Sequence, residues 1–251
     1  TTVVLSDGRG SGVKANILAT LTTEILITML NADVPLKEVL KTVIGTLPIC
    51  RVRKIAYSTF TILWVDSQTN HFKVINFDNP PPVYCHNGHV VPLEMQTQEI
   101  LGRKIQSAEG QLERGDFLGA ISDGVLYAGM GMTMNFGWGW DNVAKYIEDV
   151  LIQKPHTAQT IVKEVIGQTS ELYQGVIGDD ATFVGIYIRK RNPLMVFTGP
   201  PLDEDHDEEY VDRLLGFEGR KAICGGTTGN IVASYLGEIV EMDLSTMRRE
   251  L

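Results

Sequence analysis

The spacing of apolar residues switches between two periods along this chain. Thr2–Leu5 is a short apolar run of core-strand character, closed by Asp7-Gly8-Arg9-Gly10-Ser11-Gly12. From Val13 to Asn31 apolar residues recur every three or four positions: Val13, Ile17, Leu18, Leu21, Ile25, Leu26, Met29 and Leu30. That spacing predicts a helix with the stripe turned to the core. Asp33 before Val34-Pro35 predicts the cap of a second helix, with Leu36, Val39, Leu40, Val43, Ile44 and Leu47 on one face and Pro48 as its stop.

The texture then turns to β. Ile55–Val65 is rich in Thr, Tyr, Phe, Ile and Trp, and Phe72–Phe77 alternates apolar with polar residues beyond a turn at Asp66–Asn70. Asp78-Asn79-Pro80-Pro81-Pro82 breaks the run, and Val83–Cys85 and His89–Pro92 flank a hairpin turn at His86-Asn87-Gly88. Lys104–Glu109 and Phe117–Ser122 add strands, so the middle of the chain reads as an antiparallel meander without βαβ alternation. Helical spacing returns at Trp140–Gln153 and Thr157–Tyr173, and Ala181–Arg189 is one more strand. The expected fold is α+β: a four-layer α-β-β-α sandwich of two antiparallel sheets flanked by helices. Met130–Trp140, rich in Gly, Met, Phe and Trp without a period, reads as an irregular loop over the sheet ends.

A boundary is expected near Arg191-Asn192-Pro193, dividing a domain of residues 1–191 from an accessory segment of residues 192–251. That small α/β segment holds a strand at Leu194–Phe197, an acidic helix start at Asp203–Glu209, and a strand at Ala222–Cys224. Gly225-Gly226-Thr227-Thr228-Gly229 then leads into a helix from Asn230. The chain opens directly in a core strand without a Met, so it is expected to be a piece of a longer protein.

Composition narrows the function classes. The chain has 251 residues, enough for one substantial core or one core plus an appendage. Its 22 basic and 31 acidic residues give a net charge of −9, which argues against a nucleic-acid surface. The basic clusters Arg51–Lys54 and Arg189–Arg191 are short and flank strands. No apolar run approaches the ~20 residues of a membrane span, since the most apolar stretch, around Ile25–Leu30, is broken by threonines. There is no signal-peptide pattern. Three widely spaced cysteines (Cys50, Cys85, Cys224) favour reduced thiols and a cytoplasmic location. Surface or capping roles are expected for His71, His86, His89, His156 and His206.

Three aspartates carry the chemistry: Asp7, Asp123 and Asp179, each beside an apolar strand-like run and a glycine. A carboxylate at the tip of a strand can ligate a hard cation, and three that converge would make a divalent-metal site. Taken singly, Ser122-Asp123-Gly124 is a common turn signal. The Asp7–Gly12 loop opens no βαβ unit, which sets aside a dinucleotide loop, and it lacks the spacing of a calcium loop. Gly225–Gly229 resembles a phosphate-cradling turn with Thr227 and Thr228 as contacts; a plain tight turn between strand and helix is the simpler reading.

In order, Asp7-Gly8 with its glycines and long helix, Gly115-Asp116 leading into Ser122-Asp123-Gly124-Val125, and Asp179-Asp180-Ala181-Thr182 resemble a known family. It is the stage II sporulation protein E branch of the PPM (protein phosphatase 2C-like) metal-dependent Ser/Thr phosphatases, over about residues 1–191. The resemblance implies that Asp7 bridges two Mn²⁺ or Mg²⁺ ions with a carbonyl contact from Gly8, and that Asp123 and Asp179 ligate the first metal. It implies hydrolysis of phosphoserine or phosphothreonine on a regulatory protein by a water shared between the ions. Arg9 stands where some relatives carry a His and becomes a phosphate-contact candidate. The family carries a further strand before Asp-Gly, with an acidic ligand for the second metal, and this sequence is expected to start too late to include it. The alternative is a catalytically silent PPM-fold signalling module whose C-terminal segment binds a partner or ligand.

Overall fold

The computed structural model describes residues 1–10, 12–47, 58–153, 157–176 and 178–241. Cys50, Arg51–Lys54, Ile55–Tyr57 and His156, which figure in the sequence expectations, lie outside these residues. The chain divides into two units, Thr1–Arg189 and Lys190–Leu251.

In the first unit the strands are β1 (Thr2–Gly8), β2 (Ser58–Val65), β3 (His71–Phe77), β4 (Val83–His86), β5 (His89–Val90), β6 (Gln96–Ile100), β7 (Arg103–Gln111), β8 (Phe117–Ile121) and β9 (Phe183–Tyr187). Its helices are α1 (Val13–Asn31), α2 (Leu36–Thr46), the single turn α3 (Asp123–Leu126), α4 (Trp140–Gln153) and α5 (Ala158–Tyr173). One antiparallel sheet has the order β1-β2-β3-β7-β6 and the other β5-β4-β8-β9. α1 lies on β1 and β2, while α4 and α5 lie on β5 and β9. This is the expected four-layer α-β-β-α sandwich.

Three apolar clusters explain the layers. Phe60, Ile62, Ile75 and Phe77 face α2 residues Val39, Leu40 and Val43. Phe117, Ile121 and Val83 face Val143, Ile147, Ile161 and Val165. Leu5, Leu63, Phe72, Val74, Leu118 and Ala120 fill the gap between the sheets. Because successive strand side chains point to opposite faces, Asp7 shares the inter-sheet face with Leu5. Thr59 and Thr61 share it with Leu63, and Asn76 with Val74. At one end of the gap the residues on that face therefore change from apolar to polar. Ser122 and Asp123 follow β8 directly, and Asp179 precedes β9.

The structure corrects several expectations. The α1 stripe is not all core: Val13, Ile17 and Leu21 are exposed, and the buried positions are Ala15, Thr22 and Leu26. At 100° per residue, Val13 and Ala15 stand about 200° apart on the helix, so the two series occupy opposite faces. Nor do the threonines break it. Thr22 and Thr23 return their hydroxyls to the carbonyls of Leu18 (2.7 Å) and Ala19 (3.1 Å). The helix therefore runs unbroken for 19 residues with a mean hydropathy of 1.4, and by length and composition alone it is long and apolar enough to cross a membrane. Asp33 does not cap α2. It takes a left-handed φ of 54°, and Pro35 precedes the first helical residue with no side-chain cap. β6 was not expected, because Gln96-Thr97-Gln98-Glu99 buries nothing and pairs along the edge of β7. The His86–Gly88 turn stands as expected, with left-handed Asn87 and Gly88 joining β4 to β5.

The second unit contains β10 (Leu194–Thr198) parallel to β11 (Arg220–Cys224), with α6 (Asp207–Leu215) between them in sequence and α7 (Gly226–Leu236) after them. Val211 and Leu214 of α6 and Val232 of α7 form its buried cluster. Asp207, Glu208 and Glu209 fill the first turn of α6, where the helix dipole favours them. α7 begins at Gly226, four residues before the expected Asn230, so most of the glycine-threonine segment is helix rather than turn.

His86 departs from the expected surface role. Asp116, with 1% of its surface exposed, accepts from the backbone N–H of Glu113 (2.8 Å) and the Tyr84 hydroxyl (3.3 Å), and its Oδ1 lies 3.0 Å from His86 Nδ1. A buried carboxylate needs such partners. The hydrogen bond to Asp116 holds His86 above its ordinary value of 6.5. A raised histidine stabilises the fold fully below its unfolded value and ceases to do so as pH rises through the folded one. The melting-temperature gap between wild type and His86→Ala is therefore expected to be wider below the ordinary histidine value of 6.5 and to narrow as pH rises above it. A gap independent of pH would show that the charged pair contributes nothing.

Candidate active site

The β1–β2 register sets Asp7 opposite Thr59. Gly8 must be glycine, because a Cβ there would lie 2.1 Å from the carbonyl oxygen of Ala15, where α1 crosses the end of β1. Asp123 opens α3, and the following Gly124 is equally constrained: a Cβ would sit 2.3 Å from the Asp180 carbonyl oxygen. The two Asp-Gly pairs thus share one cause. Each glycine admits a second backbone against the strand end, and each aspartate stands beside that crossing.

Ser122 ties the second aspartate to the third. Its hydroxyl accepts from Thr182 N–H (2.9 Å) and donates to the Asp180 carbonyl (3.2 Å), while Ser122 N–H donates to Thr182 O (2.9 Å). From the end of α5, Tyr173 donates its hydroxyl to the Gly124 carbonyl (2.7 Å). Asp179 turns one carboxylate oxygen to the N–H of Asp180 (2.8 Å).

Asp7, Asp123 and Asp179 line a single cleft of about 410 Å³, together with Gly8, Arg9, Asp78 and Tyr127. The sequence-predicted ligands are thus brought together. Burial, then the charges of Asp123 and Asp179, push the Asp7 carboxyl up to about 6. Asp123 Oδ1 is buried without a hydrogen-bond partner. Crowded carboxylates and an orphaned oxygen are what a hard cation relieves, and carboxylate and carbonyl donors suit Mg²⁺ or Mn²⁺. Asp7, Asp123, Asp179 and the Gly8 carbonyl fit such an ion by their chemistry. Among the described residues, no three His, Cys, Asp or Glu side chains are gathered closely enough to hold one ion as they stand.

Arg9 lines the same cleft. Thr227 and Thr228 belong to the second unit: Thr228 is buried, and Thr227 lines a separate cavity with Asp207 and Glu208. Sequence reasoning missed the floor of the site. Thr59 donates its hydroxyl to Asn79 Oδ1 and also lies 3.3 Å from the Asp7 carbonyl. Asn79 Nδ2 donates to the Thr61 hydroxyl (3.1 Å), Thr61 donates to Asn76 Oδ1 (2.7 Å), and Asn76 Nδ2 donates to the Asn79 carbonyl (3.0 Å). A signal existed in the alternation. Thr59, Thr61 and Asn76 occupy strand positions that should carry apolar residues.

Solved PP2C domains share this fold of two sheets flanked by helices. The PP2C phosphatase domain with a fragment of the regulatory domain of the cell fate determinant SpoIIE from Bacillus subtilis is similar in fold. It shows 22% identity and a TM-score of 0.62, over 75% of this chain and 55% of that one. The RsbU and RsbW domains of Rv1364c from Mycobacterium tuberculosis match at 18% identity and a TM-score of 0.60, over 85% of this chain and 58% of that chain. The SiaA-PP2C domain of Pseudomonas aeruginosa matches at 17% identity and a TM-score of 0.54, over 74% of each chain. At these identities the likeness is one of fold, and the chain spans a little over half the length of the first two. No curated protein matches it. The family model described as stage II sporulation protein E (SpoIIE) matches residues 1–189. The chain belongs to that family.

Replacing Ser122 by Ala removes the part-buried acceptor of the Thr182 N–H, a hydrogen bond worth about 0.5–1.5 kcal/mol. Urea unfolding of Ser122→Ala is expected to show a loss of that order, with the midpoint moving and the slope unchanged. An unshifted midpoint would mean that the Ser122 link does not hold the Asp179 segment to β8.

Proposed function

We propose that this chain is a metal-dependent phosphoprotein phosphatase that hydrolyses phosphoserine or phosphothreonine on a regulatory protein in the cytoplasm. The observation that carries the reading is the convergence of Asp7, Asp123 and Asp179, distant in sequence, on one cleft. Membership of the SpoIIE family supports the reaction class. Asp7, Asp123, Asp179 and the Gly8 carbonyl would hold Mn²⁺ or Mg²⁺. Such ions lower the pKa of a water and neutralise charge on a phosphoryl group. The chain's own residues do the rest. The Thr59 network fixes the backbone of Asp7, Ser122 fixes the Asp179 segment, and Arg9 brings positive charge to the phosphate oxygens. The reading assigns the attack to water and needs no phospho-enzyme.

The competing reading is a catalytically silent module on the same fold. It is favoured by the looseness of the three carboxylates, which do not form a ready-made ion cage. Calorimetry with Mn²⁺ separates the two, since a silent module would show no heat of divalent binding.

Under the phosphatase reading, Asp7→Asn and Asp123→Asn are each expected to lower Mn²⁺-supported hydrolysis of an aryl phosphate by at least about 100-fold. Each is also expected to leave the metal-free melting temperature unchanged or raised, because one of the crowded charges is gone. The increase in melting temperature on adding Mn²⁺ should disappear with them. Full activity in either variant would overturn the mechanism.

A further inference from the structure

Arg9 is the one cationic side chain among the described residues lining the aspartate cleft, and it does not stand alone. Its Nη2 lies 3.5 Å from the Asp78 carbonyl oxygen and 3.8 Å from Asp78 Oδ2. Both side chains keep more than a third of their surface exposed. An ion pair of that length and exposure contributes about 0–1 kcal/mol to stability. Stability is therefore a poor explanation for a fourth carboxylate in a cleft that already holds three.

Asp78 has a φ of 56°, in the left-handed region that Asp and Asn enter more readily than other residues with a Cβ. What holds it there is the buried network beneath. The Asn79 side chain is bound by Thr59 and Thr61, Asn76 Nδ2 binds the Asn79 carbonyl, and the same Thr59 hydroxyl reaches the carbonyl of Asp7. One set of buried hydroxyls and amides thus fixes both the proposed metal-ligand strand and the turn that carries Asp78. Arg9, two residues beyond Asp7, is held from both directions.

We infer that Asp78 is a positioning residue that holds Arg9 at the cleft, so that its guanidinium meets the phosphate of the substrate. The inference rests on the phosphatase reading and deepens it. Asp78 engages one guanidinium nitrogen, and a guanidinium has five N–H donors, which leaves donors for phosphate oxygens. A phosphate dianion makes shorter, charge-assisted and often bidentate bonds with arginine, so it takes those donors without competing for the Asp78 contact. The weakness of the pair suits this role, since a tight Arg9–Asp78 bond would bind the guanidinium to the protein instead.

The test is a double-mutant cycle on Arg9 and Asp78, read in two ways. On a phosphoserine peptide with Mn²⁺, Arg9→Ala should raise KM by about 10-fold or more, Asp78→Ala by about 3- to 10-fold, and kcat should change less than KM in both. Inorganic phosphate, titrated calorimetrically into the Mn²⁺-loaded protein, should weaken by matching factors. Asp78→Ala should have no further effect in the Arg9→Ala background, and Asp78→Asn, which keeps a side-chain oxygen that can accept from Arg9, should recover part of the loss. An Asp78→Ala protein with unchanged phosphate affinity would overturn the inference. So would an effect of equal size with and without Arg9, which would mark Asp78 as merely structural. If the wild type binds phosphate with this pattern but hydrolyses nothing, the phosphatase reading falls while the positioning role stands. If the wild type binds no phosphate, the positioning role falls.

Discussion

The hydroxyl of Thr59 is the contact on which the site depends. It sits opposite Asp7 in the β1–β2 ladder, reaches the Asp7 carbonyl, and binds the side chain of Asn79 in the turn after β3. Two segments that supply cleft residues are joined through it, one on an edge strand and one on a loop. Among the described residues β1 pairs with β2 alone, so its end would otherwise be held by the ladder with β2 and by α1. A buried polar network is useful only if its members are satisfied. Here Thr59, Thr61, Asn76 and Asn79 close on one another and on the main chain, which gives the cleft a rigid floor without a second sheet edge.

The site is also a consequence of how two sheets stop packing. Between them Leu5, Leu63, Val74, Leu118 and Ala120 form a dry layer. Two residues further along the strands the same face carries Asp7, Thr61 and Asn76. The gap that was filled by methyl groups becomes a cleft lined by carboxylates, and their partial burial raises the cost of their charge. Burial is the largest cause of the upward push on Asp7. The fold thus creates the need that a bound cation would meet.

Much of this was legible in the sequence, and the limits have physical reasons. Strand alternation, the His86–Gly88 turn and the two Asp-Gly pairs are local signals, and they survive in the structure. The α1 face did not, because a helix with apolar residues on two sides has no single stripe to read. Threonines in its middle looked like breaks, although a threonine hydroxyl can bond back to the preceding turn and leave the helix intact. The edge strand β6 is polar from Gln96 to Glu99 and carries no periodic signal. The network under Asp7 was hidden for a different reason: its members come from β2, β3 and the following turn, and nothing in the sequence of any one shows that they meet. The glycines after Asp7 and Asp123 were visible, but their cause was not. Each makes room for a backbone that arrives from elsewhere, Ala15 in one case and Asp180 in the other.

The second unit shows how far charge can correct a motif. Gly225–Gly229 resembles a phosphate-binding turn, and a helix does begin there. Thr228, however, is buried, and Thr227 faces a cavity of about 490 Å³ whose wall includes Asp207 and Glu208 from the start of α6. Carboxylates are at home in that first turn because the helix dipole favours them, and for the same reason they are hard to neutralise. An anion in the cavity would share its walls with them. The aspartate cleft is acidic as well, but it contains Arg9 and a donor set that a hard cation would compensate. Glycine and threonine spacing alone does not separate these two cavities. The sign of the charge that each can accept does.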